Sequence, residues 1–251
     1  MLILTDIYIL TLGLVLGSFY NVVGLRVAGG RSIISPPSHC PSCGRRLAIR
    51  DLVPVFSYLF LRGRCRTCHQ KISPIYPIVE ASTGLLFLFS FLRAASVADM
   101  LCGWLLASLL MIVLVTDLTE MMIPDRILFF FLILFAVFRI FFPLVPWWDA
   151  LAGAASGFIV LLLIALISRG GMGGGDVKLF AVIGLLVGLK TVLLGFFLST
   201  FIGAAIGVAG MLTGMIKRRQ PIPFVPFIVL GMLAAYFFGD RLIAIYYSFL
   251  F

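Results

Sequence analysis

Charge is what this sequence most lacks. Only 12% of its residues are Asp, Glu, Lys or Arg, about half the share of an average soluble domain. Acidic residues number 10 in 251 and histidines 2, so each ionisable side chain stands out against an apolar background. Hydrophobic residues make up 62% of the chain and the mean hydropathy is +1.19. A soluble core cannot absorb that much apolar side chain, because its surface must still be wetted. Soluble enzyme, nucleic-acid module and disordered tail are thereby excluded as descriptions of the whole. The composition predicts an all-α polytopic membrane protein.

Two familiar motifs are also missing. No Gly-x-Gly-x-x-Gly followed by an acidic residue is present, which excludes a conventional Rossmann-type cofactor fold. No basic run precedes the first apolar segment, so residues 3–25 are expected to stay as a first helix and not to be cleaved as a signal peptide. The net charge of +9 is no pointer to nucleic acid. Nine of the 19 basic residues (Arg26 to Lys71) fall in one polar stretch, the pattern of a cytoplasmic loop beside anionic lipid.

The further apolar runs are 74–92, 100–116, 126–142, 149–167, 179–189, 192–213 and 223–239. Dividing 179–213 near Gly188–Lys190 gives about eight crossings. Lys217, Arg218 and Arg219 then join the basic loop, Arg126, Arg169 and Lys178 on the inner side. Only Arg93, Arg139, Lys190 and Arg241 fall outside, in keeping with the positive-inside bias. The expected organisation is a first helix (1–28), a cytoplasmic loop domain (29–73) and a transmembrane bundle (74–251). The run 179–189 is too short to cross alone, and must extend, thin the bilayer or sit inside the bundle.

The loop carries Cys40-Pro-Ser-Cys43 and Cys65-Arg-Thr-Cys68, two Cys-x-x-Cys knuckles 21 residues apart. Four thiolates so spaced can close a tetrahedron around zinc, and a loop with so few core-forming residues needs such a staple. A reducing cytosol disfavours disulfides. His39 and His69 stand beside the knuckles as substitutes or outer partners. Cys102 lies within an apolar run and reads as a small buried hydrophobe.

Carboxylates at membrane depth demand a reason. Glu80, Asp117, Asp125 and Asp176 fall on the inner side, with Glu120 in the loop between. Asp125 follows Pro124 and opens an apolar run, so helix capping accounts for it, as for Asp149. Asp176 ends a segment, 170–176, with five glycines in its first six residues. A flexible linker would not end in Asp-Val-Lys at a helix start. The Lys178 spacing does not suit a phosphate loop either. Asp117 and Asp176 at one end of a bundle can share a proton, one as base toward water and the other as acid toward an amide.

Gly17-Ser-Phe-Tyr-Asn-Val-Val23, Pro36 through Gly44, Leu61 through Cys68, Tyr76-Pro-Ile-Val-Glu80, Asp117 through Asp125 and Gly173-Gly-Gly-Asp-Val-Lys-Leu179 resemble the type IV prepilin peptidases. The Gly-x-Gly-Asp at Gly173, Gly175 and Asp176 is shared with presenilin-like intramembrane aspartyl proteases, which lack the cysteine loop. The resemblance implies a bacterial inner-membrane enzyme that removes the basic leader from prepilins and pseudopilins at the cytoplasmic face. It implies methylation of the new N-terminal residue with S-adenosylmethionine, Asp117 and Asp176 as the catalytic pair, and zinc in the cysteine loop. Glu80 matches a family position, and Lys178 is a candidate partner for it. Arg50-Asp51-Leu-Val-Pro54 replaces a stretch that usually contains Trp. A cation-coupled transporter and a zinc-stapled docking platform remain as rival readings. The transporter would require inverted repeats, and none is visible.

Overall fold

The computed structural model describes residues 2–168, 172–215 and 222–250. Arg169, Lys217, Arg218 and Arg219, which entered the charge argument, lie outside the described residues, as do Gly170 and Gly171. Nine helices occur among them: α1 (Leu2–Ala28), α2 (Phe56–Phe60), α3 (Ile75–Arg93), α4 (Val97–Glu120), α5 (Asp125–Phe141), α6 (Asp149–Ile167), α7 (Gly174–Val187), α8 (Leu189–Leu212) and α9 (Val225–Leu250). A 3-10 turn at Ile49–Asp51 interrupts the loop between α1 and α2. No strand forms among the described residues; only isolated bridges pair His39 with Arg46 and Arg64 with Lys71.

Six of these helices, not about eight, are long and apolar enough to cross a membrane: Ile3–Ala28, Ile75–Arg93, Val97–Glu120, Asp149–Ile167, Leu189–Leu212 and Val225–Ser248. The count by apolar runs overestimates because it does not see where helices begin and end. Pro124 starts α5 and Phe142 ends it after 17 residues, about 26 Å of rise. Gly188, at φ 80°, ends α7 after 14 residues, about 21 Å against a core of about 30 Å. The expected division of 179–213 is present at Gly188. As expected of so short a run, α7 extends back to Gly174. Its side chains from Leu179 to Val187 are mostly buried.

The chain divides into two compact units, Met1–Glu120 and Met121–Phe251. Within the first, α1 packs antiparallel against α3, and both pack on α4. The α1–α3 seam is set by small residues. A Cβ on Gly13 would lie 2.8 Å from the Gly84 Cα, and one on Gly17 would lie 2.8 Å from the Glu80 Cα. Across α1 and α4, the Tyr20 hydroxyl meets Ser108 Oγ at 2.6 Å. Trp104 Nε1 donates to the Phe87 carbonyl at 2.9 Å, with the two rings stacked at 4.9 Å.

Within the second unit α7 packs against α5, α6 and α8, and α9 packs against α8. Gly153 and Gly157 form a Gly-x-x-x-Gly stripe on α6, the small-residue pattern that lets membrane helices approach closely. Gly153 lies against the backbone of Gly184, and a Cβ on Gly157 would lie 2.6 Å from the Phe180 carbonyl oxygen. Asp149 does not cap its own helix, whose N-cap is Trp148 with no side-chain bond. Its Oδ1 accepts the Leu189 N–H at 3.3 Å, so the carboxylate serves the start of α8 instead. Large apolar side chains such as Phe129, Phe130, Phe197 and Phe201 are exposed on the outer faces, as lipid contact requires.

Gly153→Val should force α6 off α7, since backbone and not a flexible side chain occupies the space. The expected loss is about 3 kcal/mol or more, read as a lowered unfolding temperature in detergent, whereas Gly174→Ala, with open space around it, should cost about 1 kcal/mol or less.

Candidate functional site

The loop between α1 and α3 is built twice from one local pattern. In the first knuckle Cys40 N–H donates to the Arg45 carbonyl at 2.9 Å, and Gly44 N–H to the Cys40 carbonyl at 2.9 Å. In the second, Cys65 N–H donates to Gln70 at 2.9 Å, and His69 N–H to Cys65 at 3.0 Å. The fourth residue after each leading cysteine turns left-handed, Gly44 at φ 69° and His69 at φ 56°. These turns bring the four Sγ atoms within 4.8 Å of one another, with Cys40 and Cys68 at 3.7 Å. A tetrahedron with zinc–sulfur bonds of about 2.3 Å has edges of about 3.8 Å, so the cluster has the size for such an ion. No disulfide joins the five described cysteines, and Cys102 is buried in α4 as expected. Neither histidine joins the cluster, and His39 Nδ1 instead lies 3.0 Å from the Pro37 carbonyl.

The thiols are electrostatically unequal. Backbone N–H groups of Cys68 and Thr67 lower Cys65 to about 6, and those of Cys43 and Ser42 lower Cys40. The Gln70 N–H favours a thiolate at Cys68, but burial and the neighbouring sulfurs outweigh it and push that thiol up to about 11. Four thiolates in so small a volume need a cation among them. A divalent metal satisfies that condition.

Asp51, which in the sequence stands out only as part of the Arg50–Pro54 stretch, ties the knuckles together. Asp51 is the single acid within 29–73, and its side chain is only 4% exposed. Arg45 of the first knuckle donates to Oδ2 at 3.0 Å, and Arg66 of the second to Oδ1 at 2.9 Å. The Ala48 N–H adds a bond at 3.2 Å, and Arg45 also reaches Thr67 Oγ1 at 2.8 Å. Burial alone would raise this carboxyl, but the Arg66 bond, the Ala48 N–H and the two guanidinium charges bring it below its ordinary value. The available signal was its isolation, one acid among many bases.

Glu80 lies on α3 at 8% exposure, in the same unit as the loop. Its Oε2 accepts the Val55 N–H at 2.7 Å, and the Ser18 side chain is its other hydrogen-bonding neighbour. Val55 holds φ 62°, a rare conformation for a β-branched residue. Lys178 is therefore not the partner of Glu80. It binds both oxygens of Asp125 at 2.8 Å, joining the start of α5 to the second turn of α7. Asp125 is also not the N-cap of α5; Pro124 is, with no side-chain bond.

Asp117 sits in the last turn of α4 at 7% exposure. Asp176 is the third residue of α7, half-buried, where the helix dipole favours a carboxylate. Its N–H donates to the Gly173 carbonyl at 3.1 Å, and its Oδ2 lies 3.2 Å from where a Gly173 Cβ would stand. A Cβ on Gly175 would come within 3.0 Å of Ile123 Cβ, so glycine lets the start of α7 lie against the Ile123–Pro124 turn. Asp117 belongs to the first compact unit, and Asp176 to the second.

A multi-pass membrane protein with a four-cysteine cluster after its first helix, and acids at the ends of α4 and α7, defines a restricted class. Comparison with known families narrows it further. The Bacterial Peptidase A24 N-terminal domain matches residues 11–94, and the Type IV leader peptidase family matches 104–208. The chain is 45% identical to the prepilin leader peptidase/N-methyltransferase of Bacillus subtilis (strain 168), over 93% of this chain and 94% of that protein. It is 35% identical to the protein so named in Klebsiella pneumoniae, over 72% of this chain and 84% of the other. With that of Stutzerimonas stutzeri the identity is 31%, over 96% and 93%. No solved structure matches. The chain belongs to the type IV leader peptidase family.

Asp51→Asn should leave the fold in place but weaken the joint between the knuckles by about 1–3 kcal/mol, the worth of hydrogen bonds to a charged group. Competition with a chelator should then strip the metal about tenfold or more faster than from wild type. Protein purified without added metal should carry one divalent ion per chain. Replacing any of Cys40, Cys43, Cys65 or Cys68 with Ser should remove it, and Cys102→Ser should not.

Proposed function

We propose that this chain removes the basic leader from type IV prepilins or pseudopilins, and then methylates the new N-terminus with S-adenosylmethionine as donor. The observation that carries the reading is its identity with the Bacillus subtilis protein across nearly the whole of both chains. Transporter and non-catalytic docking platform give way to this enzyme class. The setting is a bacterial inner membrane, with the cysteine loop and the catalytic acids at the cytoplasmic side.

In this reading the first helix (1–28) and the bundle (74–251) flank a 29–73 loop whose Cys40, Cys43, Cys65 and Cys68 hold zinc. Bound there, zinc supplies a closed structural staple and no open coordination position. The methyl donor supplies an electrophilic methyl group to the amine.

Asp117 and Asp176 are the proteolytic pair. Both lie within the stretch matched by the Type IV leader peptidase family. Amide hydrolysis without a nucleophilic side chain needs an activated water and a proton for the leaving nitrogen. An ionised carboxylate takes a proton from water as the oxygen attacks the carbonyl carbon. The second acid, protonated, gives its proton to the nitrogen as the C–N bond breaks. Gly173 and Gly175 let the Asp176 turn move toward substrate and back. The Asp125–Lys178 ion pair holds the α5 and α7 starts together.

Asp117→Asn and Asp176→Asn keep side-chain size and remove the exchangeable proton. Each should lower leader cleavage by about 10²–10⁴-fold, in protein that still inserts and binds metal. Asp125→Asn and Asp149→Asn should retain measurable cleavage. A dyad variant cutting prepilin at near wild-type rate, followed by product mass, would defeat the assignment.

A further inference from the structure

The first unit contains a buried acceptor cluster that peptide hydrolysis does not use. Glu80 on α3 has no basic side chain among its partners in the described residues; its neighbours are the Val55 N–H and Ser18. One turn away along the same seam, Asn21 of α1 is 2% exposed and donates Nδ2 to the Tyr76 carbonyl at 3.2 Å. Asn21 Oδ1 is buried with no hydrogen-bond partner. The register sets the two side chains one turn apart on the same seam. Gly17 packs directly on the Glu80 Cα, Asn21 follows Gly17 by one turn, and Tyr76 precedes Glu80 by one turn on the antiparallel helix.

A buried carboxylate without a cation, one turn from an unsatisfied amide oxygen, is a costly arrangement in a membrane protein. A ligand that brings positive charge and several N–H donors would relieve it. A primary ammonium is such a ligand, with three donors for the Glu80, Asn21 and Ser18 acceptors. The strained Val55 backbone, held by Glu80, fixes the edge of the cysteine loop at the same place. All of these residues lie within the stretch matched by the Bacterial Peptidase A24 N-terminal domain, outside the one that carries Asp117 and Asp176.

We propose that Glu80, with Asn21 and Ser18, binds the newly released α-ammonium of the cleaved pilin and takes its proton for methyl transfer. The inference rests on the function proposed above. The Glu80 carboxylate accepts one proton from the ammonium and frees its lone pair. The amine nitrogen then forms a bond to the methyl carbon of the sulfonium donor. The carbon–sulfur bond breaks with its electron pair returning to sulfur, leaving a neutral thioether and a methylated ammonium.

The test uses full-length protein in detergent. The probes are a short apolar peptide with a free N-terminal Phe and its N-acetylated twin, binding being read by fluorescence polarisation without methyl donor. Wild type should bind the free amine about tenfold or more tighter, as a charged hydrogen bond is worth. Glu80→Gln keeps an acceptor oxygen for the Val55 N–H. It should lose that preference and methylation together, while retaining metal and leader cleavage. Asn21→Leu should weaken the preference several-fold. Equal binding of both peptides by wild type, or near wild-type methylation by Glu80→Gln, would overturn the proposal. So would loss of metal and cleavage in Glu80→Gln, which would make Glu80 a loop anchor alone. Failure of wild type to cleave prepilin would strike instead at the function on which the proposal rests.

Discussion

Hydrocarbon offers no hydrogen-bond partners, and the placement of polar groups in this chain follows from that. Hydroxyls within the helices turn back on their own backbone, as Thr83 does on Val79, Ser108 on Trp104 and Ser199 on Gly195. The helices then meet through small residues, because dispersion and close approach, not exclusion of water, must hold them together. Gly13, Gly17 and Gly84 serve this purpose in the first unit, and Gly153, Gly157 and Gly184 in the second. Where a carboxylate appears inside such a frame, its position has a job attached. Asp149 caps α8, Asp125 holds Lys178, and Glu80 receives the Val55 N–H.

The cysteine loop obeys a different limit. It is too small and too polar to bury a core of its own, so it relies on a metal-sized thiol cluster and one nearly buried carboxylate. Asp51 draws an arginine from each knuckle, which couples the two halves of the cluster. The same loop is tied to the membrane helices through Val55 and Glu80. The cysteine loop and Glu80 thus lie in one matched stretch, 11–94, and Asp117 and Asp176 in the other, 104–208.

Much of the candidate site was legible because its signals are local. Cys-x-x-Cys spacing is a property of a few consecutive residues, and the structure gathers those four sulfurs as the spacing requires. The glycine run before Asp176 likewise announces a close approach, found at Gly175 against Ile123. Partners at long sequence separation were not legible. Nothing in the sequence distinguishes Asp125 from Glu80 as the mate of Lys178, since both are acids beside apolar runs. Capping of α5 by Asp125 failed for a related reason: the preceding proline already opens the helix, and the carboxylate is drawn to a lysine 53 residues on.

Composition alone determined that the chain lives in a membrane as helices, because so much apolar surface has no other stable solvent. Hydropathy also located the helical segments, and the charge bias of the loops favoured the break that falls at Gly188. It did not determine how many of them are long enough to cross, since length depends on where Pro124 and Gly188 stop the backbone hydrogen-bond ladder. Tertiary packing decided that α7 is a buried short helix and that Asn21 keeps an unpartnered oxygen one turn from Glu80 along the α1–α3 seam. It also made Asp51 the tie between the knuckles. Each of these depends on which helix or turn lies opposite, and that is settled by the sum of contacts across the fold and not by any neighbour in the chain.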